Sequence, residues 1–205
     1  MTPSRAFLGI LFYILSFPVM TGATTIRAVS VQEMLEHAEL VFDGRVSSTE
    51  VRGSQDPSSI HTCARFDVLE ILKGPDVGDS IELCFAGGTR GAIRHKVEGM
   101  VYPGRSERGV YFVESLTQRY VNPFYGWQQG HFRAVLSAGR ITREVRVSDG
   151  RPVVNIDRTD ALSDSGLSTG VARGVQVAPR WAIEPHSMTL EGFKAKLRKI
   201  LEGLR

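Results

Sequence analysis

Five histidines, two cysteines and a cluster of arginines have the widest chemical reach in this 205-residue sequence. Nucleophilic catalysis needs a hydroxyl or thiol beside a base, with an acid to orient that base. The chain has no Gly-x-Ser-x-Gly elbow, no His-Glu-x-x-His and no Gly-x-x-x-x-Gly-Lys. Gly87-Gly-Thr-Arg-Gly91 is rich in glycine, but no helical pattern follows it to aim a dipole at a phosphate. It reads as a turn, as does the polar stretch from Gly104 to Gly109. Carboxylates are scattered, so spacing gives no support to paired-carboxylate catalysis. No catalytic set, cofactor motif or metal motif emerges, and a non-catalytic binding domain is the expectation. A hydrolase with dispersed residues is the alternative; it would show as a pocket gathering His61, His95 or His131 with a carboxylate.

Cys63 and Cys84 are the only cysteines, and both fall on the polar face of a predicted strand. Folding these strands into a hairpin centred on Lys73-Gly74 sets Cys63 opposite Cys84. The same register sets Arg65 opposite Glu82, Ala64 opposite Leu83 and Phe66 opposite Ile81. Directly opposed residues in an antiparallel pair stand within reach of a disulfide, so a structural bridge is expected. A zinc set of His61, Cys63, Cys84 and His95 is a rival, although its spacing matches no familiar knuckle. A redox-active pair would want Cys-x-x-Cys, which is absent.

Two stretches could form a binding surface. The connection carrying Arg90, Arg94, His95, Lys96, Arg105 and Arg108 is basic. Tyr120, Phe124, Tyr125 and Trp127 make a dense aromatic run, which either plugs the core from a loop or offers a platform to a sugar ring or an extended peptide. Arg90, Arg94, His95 and Trp127 are the residues singled out. A protease inhibitor acting through the exposed Gly87–Gly109 segment is a further alternative.

These groups must be carried by a β-rich domain. Residues 1–23 read as a cleavable leader: Arg5, then an apolar run from Ala6 to Met20, then Thr21-Gly22-Ala23 before a cut at Thr24. The run is about 15 residues, short of the roughly 20 of a spanning helix, and no later segment is long and apolar enough to cross a bilayer. The expected location is the periplasm or the exterior. Losing the leader removes Arg5 and no acid, so the formal charge of +3 falls by one. So small an excess is a weak signal that a soluble surface explains; export is what turns the expectation to an envelope protein or polysaccharide as partner rather than nucleic acid.

Residues 24–157 alternate as strands do. Ser30 and Glu33 form a capping box that opens a short helix. Leu40, Phe42, Gly44 and Val46 share one strand face, with a bulge expected at Gly44. Further strands are expected over 60–69, 80–86, 110–116, 129–136 and 141–147. Residues 158–180 are rich in Gly and Ser and read as a mobile loop. Residues 181–205 end in an amphipathic helix capped by Thr189, with Leu190, Phe193, Leu197, Ile200 and Leu204 as its stripe. Lys194, Lys196, Arg198 and Lys199 lie largely off that stripe, on a face expected to be solvated. The fold expected is mainly β (α+β): a small antiparallel OB-like barrel or curled sheet, with a short N-terminal helix and a C-terminal helix.

The runs Ala38–Val46, Thr62–Gly74, Ala86–Gly88 and Gly126–Phe132 resemble a set of uncharacterised exported bacterial proteins. The first two also look like the opening strands of netrin-like and related OB-type barrels, which include the tissue inhibitors of metalloproteinases. Those inhibitors chelate a catalytic zinc through an N-terminal Cys. Here the predicted N-terminus is Thr24 and no Cys precedes Cys63, so the resemblance implies the barrel and not the inhibition.

Overall fold

The computed structural model describes residues 26–54, 56–137, 141–158, 166–182 and 187–204. The expected leader lies outside the described residues. Helix α1 (Val31–His37) begins where the Ser30 hydroxyl accepts the Glu33 N–H at 3.0 Å, the N-cap half of the capping box. The Glu33 carboxylate turns elsewhere, to Arg27 and the Tyr125 hydroxyl. Strands β1 (Leu40–Arg52), β2 (His61–Lys73) and β3 (Ser80–Ala86) follow. A small hairpin comes next, β4 (Gly88–Arg90) and β5 (Ile93–His95), then β6 (Arg108–Val113), β7 (His131–Leu136) and β8 (Arg143–Val147). β9 (Val153–Ile156), β10 (Val175–Val177) and α2 (Leu190–Glu202) complete the order.

Six strands form one antiparallel sheet in the order β3-β2-β1-β6-β7-β8. The sheet curls but does not close, so the curled-sheet form of the expected fold is the one adopted. A segment after β6 partly fills the gap. Glu114 N–H donates to the Pro123 carbonyl and Tyr125 N–H to that of Phe112 (both 2.8 Å), while Ala86 N–H reaches Val121 (2.8 Å). No helix among the described residues is long and apolar enough to cross a membrane.

Each face of the curl covers its own core. Inside the curl, Phe42, Phe66, Phe85, Tyr111 and Phe124 are fully buried in an aromatic cluster, with Phe66 and Tyr111 4.8 Å apart edge to face. On the other face, Val41, Val110, Phe112 and Phe132 meet α1 and the stripe of α2. β1 is therefore buried on both sides from Leu40 to Gly44, where alternation predicted one. The bulge at Gly44 is present as a register shift after Asp43; a Cβ there would press on the Phe42 ring and sit 3.0 Å from the Asp67 carbonyl.

One expectation for the C-terminal third is corrected. Lys194 is not on a solvated face: it is 4% exposed, with Nζ 3.2 Å from Asp43 Oδ2 and 2.7 Å from Glu70 Oε2. The Gly- and Ser-rich stretch carries more structure than its composition suggests. Val175–Val177 pairs with β9, and Ala172 and Ala178 are buried.

Candidate functional site

The site is built on the β2–β3 hairpin, whose register is the one expected: Cys63 opposes Cys84, and Arg65 opposes Glu82. The sulfurs are bonded to each other, with Cα atoms 4.0 Å apart. Neither is then a thiolate able to hold a metal, which removes the rival zinc set. The expected Arg65–Glu82 pair is replaced. Arg52, at the end of β1, reaches across β2 and grips Glu82 with two hydrogen bonds of 2.6 and 3.0 Å. Arg65 turns to the Ser80 hydroxyl at 3.1 Å. The Arg52 hydrogen bonds hold the Glu82 carboxyl below its ordinary range against a smaller opposing effect of burial, and the charges of Arg52 and Arg65 add to them.

β3 is an edge strand. The close approach of Cys63 and Cys84 marks a non-hydrogen-bonded pair. The N–H and C=O groups of Cys84 therefore point away from β2, and so, by the two-residue period, do those of Glu82. Ala86 confirms the direction, since its outward N–H meets Val121 and its carbonyl accepts the Tyr102 hydroxyl at 2.8 Å. Among the described residues, the outward groups of Glu82 and Cys84 have no partner. A groove of about 430 Å³ runs along this edge. Its near wall is Ile81 to Cys84, and its far wall is the loop from Ser115 to Tyr120. Glu39 pins that loop, accepting from Ser115 Oγ at 2.9 Å and from the Leu116 N–H at 2.6 Å. Arg52 and His61 also line the groove.

The residues singled out from sequence fall in two places. Arg90, Arg94 and His95 lie on the β4–β5 hairpin, the arginines exposed and His95 half-buried. This hairpin leaves the end of β3 and is tied to the start of β2: Gly87 N–H donates to the Ile60 carbonyl at 2.7 Å, and Thr62 Oγ1 donates to the Gly87 carbonyl at 2.8 Å. Trp127 is not with them. It sits half-buried in a separate depression with Arg27, Val29, Glu114 and Tyr125. Its φ of 61° follows one of 66° at Gly126, a left-handed backbone that is strained for so bulky a residue. The aromatic run divides likewise. Phe124 plugs the core, its ring stacked 5.3 Å from Tyr111, whereas Tyr120 is 38% exposed on the groove wall.

No residue type announced Arg52, Arg119 or the free backbone of Glu82 and Cys84 as parts of a site. An open edge is a property of strand order, and strand order cannot be read from one strand.

The histidines were the sequence marker for a hydrolase. His131 meets a carboxylate, with Nε2 2.6 Å from Glu107 Oε1, but it is 1% exposed and sealed under Tyr111 and Phe124. His61 shares the groove with Glu82, its Nδ1 2.7 Å from the Ser59 carbonyl. Glu82 is already engaged by Arg52, and no hydroxyl among the described residues hydrogen-bonds to His61. The groove thus holds a histidine and a carboxylate with no hydroxyl hydrogen-bonded to that histidine among the described residues. Comparison with protein-family models, curated proteins and solved structures finds no match to this chain.

Proposed function

We propose that this chain is an exported, non-catalytic binding domain that takes up an extended segment of a protein partner along the free edge of β3. The observation that carries this is the pair of outward-facing Glu82 and Cys84, whose main-chain groups have no partner among the described residues, beside a groove of about 430 Å³. Natural sheets cover or blunt such edges, and an incoming strand satisfies the same groups with main-chain hydrogen bonds. Export rests on the leader-like residues 1–23 and on the disulfide, which persists in oxidising compartments. A polysaccharide partner is less well served. Phe124 lies inside the core and Trp127 lies elsewhere, which leaves Tyr120 without a second ring to stack a sugar.

Glu82→Pro tests the reading. It deletes an N–H that points into the groove and costs no bond to β2, as proline on an edge strand can. Glu82→Gln controls for the lost ion pair. The oxidised chain is used to capture partners from its own envelope extract, with exchange of the Glu82 and Cys84 amides followed in the free and bound states. The expected result is capture that survives Gln and is lost with Pro, and amides that exchange slowly only when bound. Capture indifferent to the proline, or amides unprotected in the complex, overturns the proposal.

A further inference from the structure

We infer that the depression beside Trp127 is a binding site for a methylated ammonium group. It lies apart from the β3 edge and does not depend on the edge reading. Val113 and Phe124 form a bridged pair, and both are fully buried inside the curl. Their neighbours Glu114 and Tyr125 therefore turn together to the opposite face. There they line a depression of about 270 Å³ with Ile26, Arg27, Val29 and Trp127. Burial alone pushes the Glu114 carboxyl above its ordinary 4.5. Its side chain has no hydrogen-bond or ion-pair partner among the described residues. Arg27, the one cation among the lining residues, is held by Glu33, which also accepts from the Tyr125 hydroxyl at 3.2 Å. Glu114 is thus a partly buried negative charge on aromatic and apolar walls, with no cation of the chain to answer it.

The walls are fixed before a ligand arrives. Gln129 is 1% exposed; it accepts from the Val29 N–H at 3.0 Å and donates to the carbonyls of Arg27 and Gly126 at 2.9 and 3.0 Å. One buried amide therefore ties the Ile26–Val29 segment to the turn that carries Trp127. Trp127 itself is held at a φ of 61°, and strain of this kind persists where the surroundings over-determine it, as at ligand clamps. The same ties decide which cation fits. Gln129 occupies the carbonyls of Arg27 and Gly126, while the N–H groups of Ser168 and Arg173 occupy those of Ile26 and Val29. A primary ammonium would bring three donors to walls whose free acceptor is one carboxylate. A fully methylated ammonium brings no donor. It needs a counter-charge and aromatic surface, and Glu114, Tyr125 and Trp127 supply both.

Choline is the probe, titrated against the oxidised chain with saturation transfer to its methyl signal read by NMR. Butylammonium and the neutral isostere of choline, with carbon in place of nitrogen, are run beside it. The variants are Glu114→Gln and Trp127→Gly, with Glu82→Pro as a control at the other site. Thermal unfolding confirms that each is folded; glycine takes the left-handed φ freely, so the turn should survive the loss of the indole. The expected result is saturable choline binding, about tenfold weaker for butylammonium and for the neutral isostere. Choline should also bind about tenfold more weakly to Glu114→Gln and to Trp127→Gly, and equally well to Glu82→Pro. No saturable choline binding, equal binding of the isostere or tighter binding of butylammonium overturns the inference. So does choline binding that Glu114→Gln leaves intact or that Glu82→Pro removes.

Discussion

Replacing Asp43 with alanine should cost this fold about 3 kcal/mol, and the structure says where within the usual range the value falls. Asp43 is fully buried on the helix-covered face of β1. Its carboxylate accepts from Arg108 Nε at 3.0 Å, from Arg108 Nη2 at 2.7 Å and from Lys194 Nζ at 3.2 Å. Removing one member of a buried ion pair costs about 3–5 kcal/mol, chiefly because the surviving charge is left uncompensated. Here the survivors are partly provided for. Lys194 keeps Glu70 at 2.7 Å and Glu191 at 2.8 Å, and the Arg108 side chain is 22% exposed, enough to reach water. The low end of the range is therefore expected, which in a chain of this size lowers Tm by roughly 6–12 °C. Asp43→Asn keeps the shape but removes the same charge and turns an amide NH2 group toward cationic donors, so its loss should be of similar size, about 3 kcal/mol. Urea unfolding followed by far-UV circular dichroism measures both, at low and at high salt. The cost should hardly change with salt, because a buried pair is poorly screened. A loss under about 0.5 kcal/mol, the size of a surface substitution, would refute the claim that this carboxylate holds α2 to the sheet.

Three further outcomes follow from the same fold. Cys63→Ala/Cys84→Ala opens a loop with a sequence separation of 21; on the chain-entropy estimate this costs about 3 kcal/mol, read as a lower urea midpoint, and wild type in reductant should match it. Proline at Leu83, whose N–H serves the ladder to β2, should lower Tm far more than proline at Glu82, whose N–H faces the groove. Acid should destabilise the chain through Glu107. Burial pushes its carboxyl up, but the hydrogen bond from the His131 ring and the charges of His131 and Arg133 outweigh that and leave it below its ordinary 4.5. A depressed carboxyl contributes stability above its unfolded value and loses it as pH falls through the folded one. Urea midpoints should therefore drop below about pH 4.5, and less steeply in Glu107→Gln, with Glu33, also held low despite burial by its bond from Arg27, supplying part of the remaining slope.

The β2–β3 register, the N-caps at Ser30 and Thr189 and the bulge at Gly44 were all legible in the sequence. Each depends on residues close together along the chain. A cap joins positions three apart, and a hairpin carries its own alternation on both arms. The candidate site was legible only in parts. Arg90 and Arg94 stood out as exposed cations and Trp127 as an unusual aromatic, but nothing in their spacing told that the first two lie at the end of an open strand and the third does not.

What the sequence by itself determined, then, was which face of each strand is apolar and which short segments turn or cap. Periodicity reports a face and not what will cover it. Asp43 has the alternation of an outward residue, yet the second layer formed by α2 buries it against Lys194, 151 positions away. The Cys63–Cys84 bridge was determined by one hairpin. The free edge beside it was decided only when the remaining strands took their places on the other side of β2, because an edge is defined by what fails to pair with it.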